Sequence, residues 1–576
     1  MAEATVRMGE ATDRTHPVKI LITDKVAREG IELLRTQLPD AQIDERYGLK
    51  PEQLRAIIGD YSALVVRSET KVTADILEAA ANLKIVGRAG VGVDNIDTEV
   101  ATRLGIMVVN SPTGNIIAAA EHTIAMLLAL ARHLPAADSS VKSGKWERSR
   151  FMGIEVRNKV LGIIGLGKVG MAVARRAQGL EMQTIAYDPF VAPELARKNG
   201  VEMLSLDEVL QQADFVTLHT SLTSGPSGTR GMIGTRELSL MKPTARLINC
   251  ARGGLIDEEA LLNALNEQRL AGAALDVFSQ EPIRDNEILR QLVTHERVIA
   301  TPHLGASTEE AQVSVATDVA EQIVSVLRGG FPRAAINAPL ILPETLKVLQ
   351  PYMNLLEKMG RLFTQLQPGP LSRVELSYSG EIASYDLRPL QAALIKGLLE
   401  SVSEAHVNMI NAQVLAKEWG LEIVEQKSTT PEQFANLVTL RVPNVNGYLS
   451  SLAGKPGSGD EHIDVLSGTI MHGEPRIVRV GRYWTEFVPE GYILFCRNLD
   501  QPGMIGRVGT ELGKANINIR HMDVGPSIRS ARRHYDPASK PDTALMIVSV
   551  DDPIPDETLH QIGKAGDIFG VTLVKL

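Results

Sequence analysis

From residue 18 onward, short apolar runs alternate with stretches whose apolar positions recur every three or four residues. Runs at 18–23, 63–67, 84–87 and 106–109 predict strands, and 27–38 predicts an amphipathic helix. A turn at Asn110-Ser111-Pro112 closes this first series. A long apolar helix is predicted over 116–133, and a second series follows, with strands at 159–164, 183–187, 214–219, 245–249, 272–277 and 297–300. Near-continuous apolar strands separated by helical text argue for parallel sheets covered on both faces. Two doubly wound α/β domains are therefore expected before residue 330 or so.

The remainder is patterned differently. Pro332, Pro339 and Pro343 predict a linker over 331–343. Strands at 373–379 and 437–442 read as isolated, flanking helices at 386–402 and 408–420. This middle stretch predicts an α+β unit, with a mobile Gly/Ser/Pro loop at 453–460. Beyond 490 the order is strand (492–497), helix (504–515), strand (517–524), strand (544–550), helix (556–565) and strand (571–575). That βαββαβ order is the ferredoxin-like signature.

Composition narrows the function classes. A length of 576 residues suits about four domains. Sixty Lys and Arg against 69 Asp and Glu give a net charge of −9, which argues against a nucleic-acid partner. Two cysteines and no Cys-x-x-Cys or His-Glu-x-x-His exclude a disulfide scaffold and the usual zinc frameworks. They fit a reducing, cytoplasmic setting, and no metal is expected. The first 16 residues are polar and read as a disordered arm rather than a secretory signal. Glu121 and His122 interrupt the most apolar stretch, 116–130, leaving it too short for a bilayer of about 30 Å.

Gly165-Leu166-Gly167-Lys168-Val169-Gly170 is a G-x-G-x-x-G lying directly between a predicted strand and a predicted helix. Glycines there permit the tight turn and let backbone N–H groups approach a pyrophosphate at the helix N-terminus. Asp188 follows Gly170 by 18 residues, at the next strand end, where a carboxylate accepts from ribose hydroxyls and repels a 2′-phosphate. NAD is the expected cofactor. A P-loop is excluded, since the chain has neither G-K-S nor G-K-T.

Asn249-Cys250-Ala251-Arg252-Gly253, Leu275-Asp276-Val277-Phe278 with Glu281-Pro282, and Thr301-Pro302-His303-Leu304-Gly305 resemble the D-isomer-specific 2-hydroxyacid dehydrogenases. Upstream, Arg67-Ser68 and the run Arg88 to Asn95 match the family's substrate side. The resemblance implies a discontinuous substrate-binding domain (17–112 with 300–332), a Rossmann NAD-binding domain (113–299), an intervening domain (334–488) and an ACT domain (490–576). The chemistry asks for the same residues. Oxidising a 2-hydroxyacid requires a base, expected at His303, and a carboxylate that orients the imidazole and stabilises its cation, expected at Glu281. Arg252 supplies a planar fork for the substrate carboxylate and polarises the carbonyl in reverse. The three stand 29 and 22 residues apart, each at a predicted strand end.

Further cofactor contacts implied by the resemblance are Lys168, Val169, Thr220, Cys250, Asp276 and Gly305. Cys250 is expected to line the site rather than act as a nucleophile. On the substrate side the implied residues are Arg67, Ser68, Gly90, Val91 and Asn115, the N–H groups of Gly90 and Val91 facing the substrate. Arg88 stays open between a structural and a substrate role. Val91 stands where the family often has Thr, so a side-chain hydrogen bond is lost there. The basic run Lys142, Lys145, Trp146, Arg148 and Arg150 reads either as a solvated helix end or as an arm reaching a partner subunit.

Within the family the match is closest to long-form members that oxidise 3-phospho-D-glycerate to 3-phosphooxypyruvate, the first step of L-serine biosynthesis. Asn498-Leu499-Asp500-Gln501-Pro502-Gly503-Met504-Ile505 and Asn516 to Ile519 resemble the ACT ligand-binding module. They imply Asp500 and Asn518 at an L-serine effector, unless this unit is a dimerisation module without ligand. An insertion at 526–541, carrying Arg529, Arg532, Arg533 and Lys540, is expected beside that pocket. A homodimer or homotetramer is expected. The competing readings are a hydroxypyruvate or glyoxylate reductase and an NAD-sensing corepressor or scaffold.

Overall fold

A computed structural model of the chain describes residues 17–225, 228–339, 343–367, 369, 371–400, 406–443, 464–526, 543–564 and 567–576. The expected arm at 1–16, loop at 453–460 and insertion at 527–541 lie outside these residues.

The first sheet holds β1 (Lys19–Ile22), β2 (Gln42–Glu45), β3 (Ala63–Val66), β4 (Ile85–Arg88) and β5 (Met107–Asn110) in the order β2-β1-β3-β4-β5, all parallel. Every residue of β3 and β5 is buried, because helices cover both faces. The second sheet holds β6 (Val160–Ile164), β7 (Gln183–Tyr187), β8 (Glu202–Met203), β9 (Phe215–Leu218), β10 (Arg246–Asn249), β11 (Gly272–Leu275) and β12 (Val298–Ala300). Its order, β12-β11-β10-β9-β6-β7-β8, reverses direction between β6 and β9. A crevice opens at the carboxyl ends of the strands at such a switch point, and the glycine turn sits there.

Two long helices join the sheets. The crossover helix Ile116–Arg132 packs Met126, Leu127 and Leu130 with Val173 and Ala174 against the second sheet. It stops one residue before the expected 133, because His133 takes a left-handed φ of 54° and starts the separate helix Leu134–Lys142. The return helix Glu309–Leu327 carries Val319, Ala320, Ile323 and Val324 back into the core of the first sheet. Sequence patterning overlooked β2 and β8, both edge strands, one half-exposed and one of two residues.

The C-terminal half corrects one expectation. Pro343, the last residue of the expected linker, opens a helix, Pro343–Leu366, consistent with proline's tolerance in a first turn. The strands read as isolated are neighbours, pairing antiparallel with Tyr378 opposite Val438. They belong to a six-stranded sheet of β13 (Arg373–Gly380), β14 (Glu422–Ser428), β15 (Asn436–Arg441), β16 (Val465–Met471), β17 (Glu474–Val480) and β18 (Tyr483–Phe487), ordered β14-β13-β15-β16-β17-β18. Its helices are shorter than expected, Arg388–Leu399 and Ala412–Glu418. The last sheet, β19 (Tyr492–Leu499), β20 (Ile519–Pro526), β21 (Thr543–Val550) and β22 (Ile568–Lys575), is antiparallel in the order β20-β21-β19-β22. With helices Met504–Lys514 and Asp556–Gly563 it forms the expected ferredoxin-like unit.

The return helix approaches the helix Arg28–Gln37 through Gly30, where a Cβ would lie 2.8 Å from the backbone of Ala316. Gly30→Ala is expected to cost about 1–3 kcal/mol, seen as a lower thermal midpoint; an unchanged midpoint would contradict this packing.

Candidate active site

The three glycines of the turn do different things. Gly165 has φ +93°, and a Cβ there would lie 2.7 Å from the His219 backbone and 2.8 Å from Thr220 Cγ2. At Gly170 a Cβ would lie 2.1 Å from the Gly165 carbonyl oxygen, so this position closes helix against strand. Gly167, by contrast, is exposed and a Cβ would meet nothing within 4 Å. Gly167 is the N-cap of the helix Lys168–Gly179, whose first residues are the exposed Lys168 and half-buried Val169. An open glycine at a helix N-terminus is a cradle for a diphosphate. Asp188 braces it, Oδ2 accepting from the Leu166 N–H and Oδ1 from the Phe190 N–H, each at 2.8 Å. Thr220 donates to Met232 Sδ at 3.7 Å beside the turn.

Arg252, Glu281 and His303 follow β10, β11 and β12, so the parallel sheet gathers them at one edge. Asn249 shapes the first loop, its Oδ1 accepting from the Ala251 N–H at 3.0 Å and its Nδ2 donating to the Arg252 carbonyl at 2.9 Å. Gly253 lies flat against β11's following loop; a Cβ would sit 1.8 Å from the Phe278 carbonyl oxygen. Arg252 Nε donates to Asp94 Oδ2 at 3.1 Å, reaching across to the first sheet's loops.

His303 Nδ1 stands 2.7 Å from Glu281 Oε2, while Glu281 Oε1 accepts from the Phe278 N–H at 2.9 Å. That pairing turns His303 Nε2 away from the carboxylate. Burial would raise the Glu281 carboxyl; the His303 bond and the Phe278 amide outweigh it and hold the group below its ordinary 4.5. The backbone at His303 has φ +57°, a left-handed conformation that a non-glycine residue adopts only under constraint.

The constraint is Asp276. Fully buried, it accepts from Thr301 Oγ1 at 2.6 Å, the Leu304 N–H at 2.7 Å and the Gly305 N–H at 2.8 Å. His122 Nε2 of the crossover helix lies 3.2 Å from Asp276 Oδ1. Burial would raise this carboxyl, but bonds from His122, Thr301 and Leu304 keep it below the usual value. In the sequence His122 registered only as a break in an apolar stretch, because one histidine on an apolar helix carries no signal of its partner. Cys250 lies nearby, its thiol pushed up to about 12 by burial and by the Asp276 charge. Such a thiol stays protonated, which suits a lining role.

Across the crevice, Arg67 donates its N–H to the buried Asp24 at 2.6 Å and its Nη1 to the Lys25 carbonyl at 3.4 Å, with Ser68 exposed beside it. The Gly90 N–H turns back onto the Arg88 carbonyl at 2.8 Å, so it does not face outward as expected. What Gly90 supplies is room: a Cβ would lie 2.3 Å from Arg88 Nη1. The Val91 carbonyl accepts from Asn110 Nδ2. Asn115 is the N-cap of the crossover helix, its carbonyl accepting from the Ala119 N–H at 3.0 Å. Arg88, left open by the sequence, is largely buried in this site. Burial, with Arg252 and Arg67 nearby, depresses its guanidinium to about 10 despite Asp94. Its Nε is buried without a hydrogen-bond partner among the described residues.

Other expected residues lie elsewhere. Asp500 is exposed before the helix Met504–Lys514, and Asn518 donates to Asp551 Oδ2 at 2.6 Å. Among the described residues no hydrogen bond joins the two. Lys142, Lys145, Trp146, Arg148 and Arg150 are all exposed, Lys142 pairing with Asp138 at 2.7 Å. No single described helix is long and apolar enough to cross a membrane, and no described group of His, Cys, Asp and Glu could hold a metal.

Comparison with known proteins agrees with this geometry. Residues 124–305 match the D-isomer specific 2-hydroxyacid dehydrogenase NAD binding domain, 348–481 the D-3-phosphoglycerate dehydrogenase intervening domain, and 492–566 the ACT domain. D-3-phosphoglycerate dehydrogenase of Synechocystis is 44% identical over 97% of this chain and 95% of its own length. That of Methanocaldococcus jannaschii is 41% identical over 97% of this chain and all of its own. Among solved structures, the TT0316 protein of Thermus thermophilus matches 55% of this chain and all of its own, at 31% identity and a TM-score of 0.51. The glycine turn and the Glu281–His303 pair both lie within the matched NAD binding domain. The chain belongs to the D-isomer-specific 2-hydroxyacid dehydrogenase family and, within it, to the D-3-phosphoglycerate dehydrogenases.

Proposed function

We propose that the chain oxidises 3-phospho-D-glycerate to 3-phosphooxypyruvate with NAD, at the entry to L-serine synthesis. One observation carries the substrate assignment: the buried Arg88, short of a partner at Nε, beside Arg252 and Arg67. Burying a guanidinium in the company of two others is unfavourable unless an anion completes the site. Asp94 and Asp24 offset part of that charge, and a phosphorylated acid, with its carboxylate and its phosphate, answers the guanidinium groups that remain.

The geometry supports the following roles. Arg252 holds the substrate carboxylate, and Arg88 and Arg67 face the phosphate. His303 Nε2 takes the C2 hydroxyl proton as the C=O bond forms, and Glu281 stabilises the imidazolium. NAD, when bound, accepts the hydride leaving C2. Gly165, Gly167 and Gly170 with Lys168 and Val169 seat the pyrophosphate, Asp188 takes the adenine ribose, and Thr220, Cys250, Asp276 and Gly305 border the dinucleotide. Arg252 also stabilises charge on the developing carbonyl oxygen in the reverse direction.

The same reading extends to assembly and control. We infer a homo-oligomer of at least two chains, in a reducing compartment, divided at 17–112 with 300–332, 113–299, 334–488 and 490–576. The ACT unit takes an amino acid, L-serine first among candidates, near Asp500 and Asn518.

Initial rates with NAD should give a kcat/KM for 3-phospho-D-glycerate about 100-fold or more above that for D-glycerate, and Arg88→Met should erase most of the difference. A preference for glycerate would instead favour a hydroxypyruvate or glyoxylate reductase. Glu281 gives a second test. Its folded carboxyl is depressed, so its stabilising contribution is present above 4.5 and disappears as pH falls through the lower folded value. Wild type should therefore melt above Glu281→Gln at neutral pH, the gap closing in acid; a constant gap would contradict the assignment.

A further inference from the structure

The C-terminal half touches β5 and the segment that leads into it. Residues 334–337 run antiparallel along its free edge: the Asn110 N–H donates to the Ala334 carbonyl at 3.4 Å and the Ile336 N–H to the Val108 carbonyl at 2.8 Å. Asn337 then fastens both ends of the preceding loop, its Oδ1 accepting from the Val108 N–H at 2.9 Å and its Nδ2 donating to the Ile106 carbonyl at 2.8 Å. Farther along, Asn408 Nδ2 donates to the Gly105 carbonyl at 2.8 Å and Asn411 Nδ2 to the Arg103 carbonyl at 3.4 Å. Gly105 has φ +73°, and a Cβ there would lie 2.4 Å from Asn408 Nδ2, so this docking needs glycine twice over.

The turn from Val407 through those asparagines is a two-sided peg. Val407 is buried in the core of the six-stranded sheet, while Ile410 is buried in the core of the first sheet, with Val109 of β5. The far end of β5 carries Asn110. Its buried side chain donates to the Val91 carbonyl, its own carbonyl accepts from Gln322 Nε2 at 2.8 Å, and the next residue, Ser111, donates its N–H to the Gly90 carbonyl at 3.0 Å. The Gly90–Gly92 loop is thus hung from β5. It stands against both guanidinium groups, since a Cβ at Gly92 would lie 2.3 Å from Arg252 Nη2.

We propose that Asn110 is a positioning residue for the substrate, holding the Gly90–Gly92 loop, and that the docked Asn337 and the Asn408–Asn411 turn make the C-terminal half part of that loop's support. This rests on the substrate reading above. A shift of the tail would then reach the anion site through one strand, leaving the glycine turn of the second sheet untouched.

The test uses the full chain with Asn110→Ala and, separately, the remote pair Asn408→Ala with Asn411→Ala. Amide exchange of a peptide covering 88–95 should speed up about tenfold or more in both, with 160–170 unchanged. The KM for 3-phospho-D-glycerate should rise about tenfold, with kcat and the NADH Kd within about threefold. Unchanged exchange at 88–95 in the double variant, or equal loss of NADH binding, would overturn the proposal. If the unsubstituted enzyme does not turn over this substrate, the substrate assignment falls and the exchange rates alone decide this one.

Discussion

One buried carboxylate holds the catalytic edge together. Asp276 sits at the end of β11 without solvent, and its two oxygens gather a hydroxyl, two amides and an imidazole. A buried charge is costly unless its hydrogen bonds are made, and here making them fixes a loop shape. That shape places His303 at a positive φ that its side chain would not otherwise favour, aimed at Glu281. His122 extends the same network to the crossover helix, so the helix that links the two sheets is tied directly to the loop that carries His303.

Opposite that edge the site is organised by unbalanced positive charge. The chain as a whole is acidic, at −9, yet Arg67, Arg88 and Arg252 converge where the two sheets' loops meet. Arg252 comes from the second sheet and Arg67 and Arg88 from the first, so an anion bound between them draws the two together. A substrate of higher charge is held by more of the crevice.

Much of this was readable from the residues because the chemistry is carried by short motifs at strand ends. The glycine turn and the loops bearing Arg252, Glu281 and His303 each sit in continuous text, and a parallel sheet brings such ends to one edge. What stayed hidden depends on long-range packing. Arg88 stood open between a structural and a substrate role, and only its burial and orphaned Nε weigh toward the second. His122 and Asn110 act on partners 154 and 19 residues away. In the tail, the two strands thought isolated are paired across 56 to 66 residues. Strands that pair non-locally leave little trace in local periodicity.

Replacing Asp276 with its uncharged isostere tests most directly whether this carboxylate poses His303. Single-turnover hydride transfer by Asp276→Asn, at saturating NAD and 3-phospho-D-glycerate, should be slower by about 10²- to 10⁴-fold although His303 and Glu281 are intact. A rate within about threefold of wild type would show that the loop holds its shape without that charge, and would contradict the account.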